Sequence, residues 1–230
     1  MHLERIMAKS SNLPDTYQRS PIMRIKLSFI GSLVGIALIG GSGKAVVAQS
    51  RNDADARAAF MEAFKVFSHA RCVNCHPAGN APLQGEDSRP HASLRLRRGA
   101  DGHGVFAIKC GNCHQAQNQS GLHMPPGAPY PLIDGAEDQA HQGEPRWHLP
   151  SAATPMVFER RTPGQLCRQL LDKTKNGGLT PEQLVHHVNN DPLVLWGWNA
   201  GEGRSAPPLS HAEFVRKVEE WLDKGRACPR

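Results

Sequence analysis

The amino-acid sequence predicts a mainly α-helical domain with long loops. Apolar residues recur at helical spacing in four stretches, which begin near residues 53, 163, 181 and 211. The segments between them are rich in Gly, Pro and polar residues, and none shows the sustained alternation of a β-strand. Aromatic residues make up only 6% of the 230 residues, so we do not expect a large core built from protein side chains alone. A short Cys/His motif also occurs twice in the loops.

This motif is the pentapeptide C-x-x-C-H. Its two copies are Cys72, Cys75, His76 and Cys110, Cys113, His114. The two thiols of such a pentapeptide can add to the vinyl groups of one porphyrin while the adjacent histidine ligates its iron. The two copies therefore predict two covalently attached haem c groups.

Two other roles use the same C-x-x-C spacing. Zinc binds four Cys or His ligands, which the two pairs could supply, and thioredoxin-like dithiols also have this spacing. Both copies here, however, continue with Ala at the second and Asn at the fourth position after the histidine, and a zinc ribbon does not require a His at this place. The flanks also lack the βαβ pattern of a thioredoxin-like fold. Haem attachment is our interpretation, with zinc and dithiol roles as alternatives.

The spacing of the two motifs predicts one domain rather than two. Only 33 residues separate His76 from Cys110, whereas a complete single-haem module takes on the order of 80 residues. At most a short extended piece, Ser93–Leu96, is expected between them. A second long loop follows, from Gln115 to about Pro155, and a flat apolar cofactor would give such loops a core to pack against. We therefore expect two close haems that exchange electrons directly.

The N-terminal region predicts export. Residues 1–22 are polar and unpatterned, and we interpret them as a mis-assigned start. Residues 23–48 have a basic beginning, an apolar run of 13 residues and a small-residue cleavage pattern that ends at Ala48. The run is shorter than the ~20 residues of a membrane span, so we expect a cleaved signal peptide, with an uncleaved tether as the alternative. The mature domain would be 49–230, in the periplasm.

Charge gives no sign of a nucleic-acid partner. Removal of residues 1–48 takes away six basic and two acidic residues and leaves 21 Lys and Arg against 19 Asp and Glu. The remaining basic residues form no clustered stripe, so no nucleic-acid surface is expected. Of the six cysteines, Cys167 and Cys228 lie outside the motifs. Outside the cytoplasm these two can form a disulfide, and two buried thiols are the alternative.

The predicted first helix delivers the first motif. Asp53 is a candidate cap, and Phe60, Phe64 and Phe67 follow at helical spacing on one face. A last helix after residue 211 places apolar residues on one face in the same way; they are Phe214, Val218, Trp221 and Leu222.

Two further helices are predicted from matching starts. Thr162 and Thr180 each precede a proline and stand three residues before a glutamine, which is a capping-box pattern. Asn176–Gly178 is expected to end the first of these helices. In the second, His187 shares an apolar face with its neighbours, while His186 points elsewhere. Residues 191–208 are expected to be rich in turns.

Each iron takes a sixth ligand or keeps an open position, and this choice separates an electron carrier from a catalyst. The candidates are His91, His103, His123, Met124, His141, His148, Met156, His186, His187 and His211. Four of them stand out. Met124 precedes two prolines, His91 follows a proline, His148 lies in the stiff segment W-H-L-P, and His187 lies on an apolar helix face where an unpaired imidazole would be costly.

The motifs, the helix that leads into the first of them and three further segments carry a family resemblance. The segments are 147–150 (WHLP), 191–198 (DPLVLWGW) and 221–229 (W-x-x-x-G-x-x-C-P). The chain resembles a dihaem c-type cytochrome, and in particular the bacterial cytochrome subunits associated with isoquinoline 1-oxidoreductase. The resemblance implies cytochrome c-like helices around two covalently attached haems in one domain, with the terminal helices crossing.

The resemblance also implies a function. Such a protein would relay electrons from a dehydrogenase or molybdenum hydroxylase to a respiratory acceptor, through transient contacts with redox proteins. Nothing in the sequence resembles a molybdopterin-binding subunit, so the chain would carry no hydroxylase chemistry itself, and we expect an electron carrier or electron-transfer subunit. The alternatives are a dihaem peroxidase-like enzyme, which requires one open iron, and a haem-based redox or gas sensor.

Overall fold

A computed structural model describes residues 52–91, 96–106, 108–127 and 147–230. All of them belong to one compact unit, Val47–Arg230. The predicted start (1–22) and signal peptide (23–48) lie outside the described residues, as do His141 and most of the extended piece predicted at Ser93–Leu96.

The described part of the chain is mainly helical, which confirms the predicted class at this coarse level. Its α-helices are α1 (Asp53–Phe67), α2 (Ala70–Val73), α3 (Pro163–Leu171), α4 (Pro181–Asn190), α5 (Pro192–Trp196) and α6 (His211–Asp223). A 3-10 helix spans Cys110–Asn112. No helix within the described ranges has the length and apolar character needed to cross a membrane.

Two small β-hairpins were not expected from the sequence. In the first, β1 (Leu83–Gln84) pairs antiparallel with β2 (Arg89–Pro90), and in the second, β3 (Gly104–Val105) pairs with β4 (Ile108–Lys109). Each strand has two residues, which is too short for an alternating pattern to appear in a sequence. The second hairpin matters for the site because β4 runs directly into Cys110.

The first and last helices form the main core. Phe60 of α1 packs edge-on against Trp221 of α6 with ring centroids 4.8 Å apart. Phe67 packs in the same way against Phe214 at 5.0 Å. These four side chains are at most 3% exposed, so the faces predicted from apolar spacing are confirmed, except that Phe64 is only partly buried.

The predicted cap of α1 is wrong by one residue. Asn52 is the N-cap, and its side chain accepts a hydrogen bond of 3.1 Å from the backbone N–H of Asp55. Asp53 is the first helical residue, where its negative charge complements the positive end of the helix dipole. Both residue types favour a helix start, so the sequence alone did not separate them.

The capping boxes at Thr162 and Thr180 are confirmed, and Pro163 and Pro181 occupy the first helical positions. However, α3 ends at Leu171, before the predicted stop at 176–178. Asp172 leaves the helix, and its carboxylate accepts hydrogen bonds from the backbone and hydroxyl of the residue two positions on. This local turn competes with helix continuation.

The predicted turn-rich segment also contains a helix. Asp191 accepts a hydrogen bond from the backbone N–H of Leu193 at 2.8 Å and thereby caps α5, with Pro192 at the first position. The helix is only five residues long, and its apolar residues are too few to show helical spacing. It ends at Trp196, a residue of the site described below.

The disulfide between Cys167 and Cys228 is confirmed, with Cα atoms 5.6 Å apart. It joins α3 to the segment after α6. Gly164, one turn before Cys167, lies so close to the carbonyl of Pro229 that a Cβ atom at Gly164 would overlap it. The last residues of the chain are therefore packed against α3.

We predict that the double substitution C167S/C228S lowers the free energy of unfolding by about 2–5 kcal/mol, because the bridge restricts the unfolded chain across a separation of 61 residues. Denaturant unfolding, followed by the near-ultraviolet signal of the four tryptophans, measures the effect. Wild-type protein treated with a reductant should unfold at the same midpoint as the variant. An unchanged midpoint in both would show that the bridge contributes nothing.

Candidate haem-binding site

The first motif places its three side chains around one cavity. Cys72 lies in α2, and a turn follows this helix, in which the N–H of His76 donates to the carbonyl of Cys72 at 3.1 Å. Cys72, Cys75 and His76 all line a cavity of about 360 Å³. That volume is within the range of about 300–1,000 Å³ that small-molecule and cofactor sites have.

The walls of this first cavity are mostly apolar and come from both ends of the domain. They include Phe67, Met156, Phe158, Leu170, Leu184 and Val188. A flat apolar cofactor fits such a lining, because it would replace water against hydrocarbon and aromatic surfaces. The lining residues come from α1, α3, α4 and the 147–158 loop, so the cavity exists only when the whole domain is folded.

His76 is held in a single orientation. Its Nδ1 lies 2.7 Å from the carbonyl oxygen of Met156, and its ring stacks on Phe158 with centroids 3.9 Å apart and planes 9° from parallel. Since a carbonyl only accepts, Nδ1 carries the proton and Nε2 has the free lone pair that a metal requires. Burial lowers the pKa of His76 to about 3, so the ring is neutral and able to bind a metal near neutral pH.

His187 lines the same cavity from α4. Its Nδ1 lies 3.1 Å from a carboxylate oxygen of Asp191. Burial acts to raise the pKa of Asp191, but the hydrogen bond and the charge of His187, together with the hydrogen bond from the backbone N–H of Leu193, lower the pKa on balance. A carboxylate that fixes Nδ1–H in this way is a common support for a metal-binding imidazole, because it leaves Nε2 for the metal. Thus the structure brings the predicted ligand His187 together with His76.

The second motif has the same arrangement on a different support. His114 has its Nδ1 2.8 Å from the carbonyl oxygen of Pro126. Its ring stacks on Trp147 with centroids 4.3 Å apart and planes 7° from parallel. Burial lowers its pKa to about 4. Both motif histidines are therefore neutral, supported by a backbone carbonyl through Nδ1 and packed flat against one aromatic ring.

His91 faces His114 at a distance that suits a shared metal. The two ring centroids are 6.4 Å apart, with the planes inclined by 65°. A metal–imidazole bond of about 2 Å and a nitrogen roughly 1.2 Å from its ring centroid give about 6.4 Å between two imidazoles on opposite sides of one metal. Burial lowers the pKa of His91, and its Nδ1 is buried without a hydrogen-bond partner among the described residues. A hydrogen bond of Nδ1 therefore does not explain why the His91 ring faces His114.

The two motifs meet at an aromatic cluster of Trp147, Trp196 and Ala200. Cys75 of the first motif and Cys110 of the second both pack against it. The two tryptophan rings are perpendicular, with centroids 4.9 Å apart. One cysteine of each motif therefore lies at the same cluster, so the two motifs are close together in the fold.

Asn118 connects this cluster to the loop after the second motif. Its carbonyl oxygen accepts hydrogen bonds from the indole N–H of Trp196 at 3.2 Å and from the backbone of Gly127 at 3.0 Å, and its amide donates to the backbone carbonyl of Asn199 at 2.8 Å. Sequence analysis noted the repeated asparagine after each motif but assigned it no role. The repetition was the signal that could have identified Asn118.

Of the other two preferred ligand candidates, one lines the first cavity and the other lies at the surface. His148 lines the first cavity and its ring centroid is 4.9 Å from that of His103. Met124 is 40% exposed, and its carbonyl accepts a hydrogen bond from Arg204 at 2.8 Å. Met124 thus occupies a surface turn.

The two thiols of the first motif do not resemble those of a reactive dithiol. Burial is the main cause that raises the pKa of Cys72 and of Cys75 to about 12, whereas dithiols that act in redox exchange have lowered thiol pKa values.

The described residues contain no group of three or more Cys, His, Asp or Glu side chains able to hold a metal ion by themselves.

Sequence analysis also missed Arg98, which is 1% exposed. Its guanidinium donates hydrogen bonds to the carbonyls of Gly79 at 3.1 Å and Ser151 at 3.3 Å. It joins the loop after the first motif to the segment that begins at Trp147. No sequence signal distinguishes Arg98 from its exposed neighbour Arg97.

Comparisons with protein-family models, with curated proteins and with solved structures found no match for this chain. The resemblance to dihaem c-type cytochromes therefore stays a prediction from the motifs and segments quoted above. The roles of individual residues rest on their positions in this structure.

We predict that Gly102→Ala disturbs the second site. Gly102 has a φ of +91°, and an added Cβ atom would overlap the carbonyl oxygen of Leu149, in the loop that carries Trp147. The strain should lower the free energy of unfolding by about 1–3 kcal/mol and alter the fluorescence of Trp147 and Trp196. Gly79→Ala is the control: it has no atom within 4 Å of the added Cβ and should change stability by no more than about 0.5 kcal/mol. Equal stability of the two variants would contradict the close packing of Gly102.

Proposed function

We propose that this chain is an exported dihaem c-type cytochrome that relays single electrons between redox proteins. The observation that carries the proposal is the repeated arrangement of the motif histidines. In each, a carbonyl fixes Nδ1, an aromatic ring supports the imidazole, and a second imidazole is available, His187 for His76 and His91 for His114. A bound haem supplies one-electron chemistry at its iron.

At the first site, Cys72 and Cys75 are the thiols that attach the porphyrin, and His76 is the proximal ligand. His187 is the sixth ligand, oriented by the carboxylate of Asp191 at 3.1 Å. The mostly apolar lining would keep water away from a bound haem. With His76 and His187 both available to the iron, the haem would supply electron transfer rather than substrate binding.

At the second site, Cys110 and Cys113 attach the porphyrin and His114 is the proximal ligand. Here we assign the sixth position to His91, because its ring is 6.4 Å from that of His114. Met124 is not assigned, since it lies in a surface turn. Two histidine ligands at each site favour lower reduction potentials than a histidine and methionine pair would give.

The aromatic cluster of Trp147, Trp196 and Ala200 supports a relay function. One attachment cysteine from each motif packs against it, so an electron would cross between sites within one domain. The resemblance suggests a molybdenum hydroxylase or related dehydrogenase as donor and a respiratory protein as acceptor, both in the periplasm and both in transient contact. The exported location follows from the predicted signal peptide and from the compartment in which such haem attachment takes place.

The first test of this function is the covalent haem content. Expressed with its leader in a bacterium that attaches haem to exported proteins, the denatured chain should carry two haems by mass. C72S/C75S and C110S/C113S should each carry one. The matched control, C167S/C228S, also removes two cysteines and should keep both haems. Purification of the wild type with zinc and without covalent haem would contradict the proposal and favour the zinc alternative.

The second test concerns the sixth ligands. The reduced wild type should show no spectral change with carbon monoxide, because both irons have two protein ligands. His187→Ala and His91→Ala should each open one site to carbon monoxide, whereas His186→Ala on the same helix and Met124→Ala should behave as the wild type. Rapid binding of carbon monoxide by the wild type would contradict the carrier function and favour the peroxidase-like or gas-sensor alternative.

A further inference from the structure

A buried positive charge lies beside the first site. Arg71 directly precedes Cys72, its side chain is 1% exposed, and it lines the first cavity. Its guanidinium forms an ion pair with Glu86 and lies 6.0 Å from the ring of Trp196. Its Nε is buried without a hydrogen-bond partner among the described residues.

The ion pair of Arg71 is asymmetric. The side chain of Glu86 is 46% exposed, and its carboxylate also accepts hydrogen bonds from the hydroxyl and backbone N–H of Ser205. Solvent and Ser205 therefore screen the negative partner, while the positive partner faces the interior. Burial of a charge with incomplete pairing is costly, and a neutral side chain of similar size would fill the same space. Packing alone does not explain an arginine at this position.

We propose that Arg71 raises the reduction potential of the haem attached at Cys72 and Cys75, and so makes the two sites unequal. The inference rests on the proposed function. Reduction adds one negative charge to the site, and a nearby fixed positive charge stabilises that state. An arginine remains protonated in proteins, so its influence is constant across physiological pH. Asp191, beside His187, acts in the opposite direction, and Arg71 offsets it.

The size of the effect follows from Coulomb's law. With an effective dielectric constant of about 20, a unit charge that acts over about 10 Å changes a one-electron equilibrium on the order of tenfold. Such a difference gives electrons a preferred site within the pair. The chain would then hold the first electron at the site beside Arg71 and pass the second through the other site.

The test is a potentiometric titration of the loaded wild type and of five variants, with the haem spectrum as readout. In Arg71→Gln, the midpoint potential of one of the two reduction steps should fall by about 59 mV. For one electron this equals about a tenfold lower ratio of reduced to oxidised haem. The step that moves should be the one that His187→Ala also alters. Arg71→Lys keeps the charge and should stay near the wild-type value.

Glu86→Gln separates charge from packing. It breaks the same ion pair but removes a negative charge. The midpoint potential of the affected reduction step should therefore rise, whereas Arg71→Gln lowers it. Arg97→Gln, at an exposed position, is the control and should leave both steps in place. If Arg71→Gln does not fold, Glu86→Gln and Arg71→Lys still decide the matter.

The role of Arg71 would be overturned if Glu86→Gln shifted the midpoint potential in the same direction as Arg71→Gln. It would also be overturned if neither variant shifted any midpoint potential. A wild type that carries no covalent haem would instead overturn the proposed function. The two failures are distinguished by the mass of the wild-type chain, which is measured before the titration.

Discussion

The hydrogen bonds from His76 to the carbonyl of Met156 and from His114 to the carbonyl of Pro126 organise both sites. The first joins its motif to a loop 80 residues further along the chain. The second joins its motif to a nearby loop without secondary structure. Each hydrogen bond also decides which nitrogen carries the proton, and therefore which one remains for a metal. The aromatic partners, Phe158 and Trp147, then hold each ring against rotation. Thus the loops that interrupt the helical fold provide the main support of the motif histidines.

Local sequence signals predicted the elements that depend on local interactions. The capping boxes at Thr162 and Thr180 were readable because cap, proline and glutamine lie within one turn. The apolar face of α6 was readable because it repeats over three turns. In contrast, the two hairpins and α5 are too short to show any period, and residues of both helical and turn character occur in them. The content of helices was therefore predictable, and the shape of the loops was not.

The same contrast between local signals and distant contacts applies to the site. The motif residues were evident because their chemistry requires fixed spacing, whereas the sixth ligands depend on how loops fold back. His91, His148, His187 and Met124 were comparable candidates in the sequence, yet only the structure distinguishes the inward position of His91 from the exposed turn of Met124. Arg71 gave no signal, since a charged residue before a motif is usually solvated and its burial arises from contacts far along the chain.

The two sites differ in how much of the chain each requires. The imidazole pair of the second site, His91 and His114, and its supporting ring, Trp147, come from one stretch of the chain, whereas the first cavity needs Phe67 at the end of α1 and Phe214 in α6. The ends of the domain also meet, since the N–H of Asn52 donates to the carbonyl of Lys224 at 2.8 Å. The first cavity is therefore enclosed only when α1 and α6 have packed together. A change at either end of the domain should therefore reach the first cavity, even though in the sequence its motif lies near neither the last helix nor the last residue.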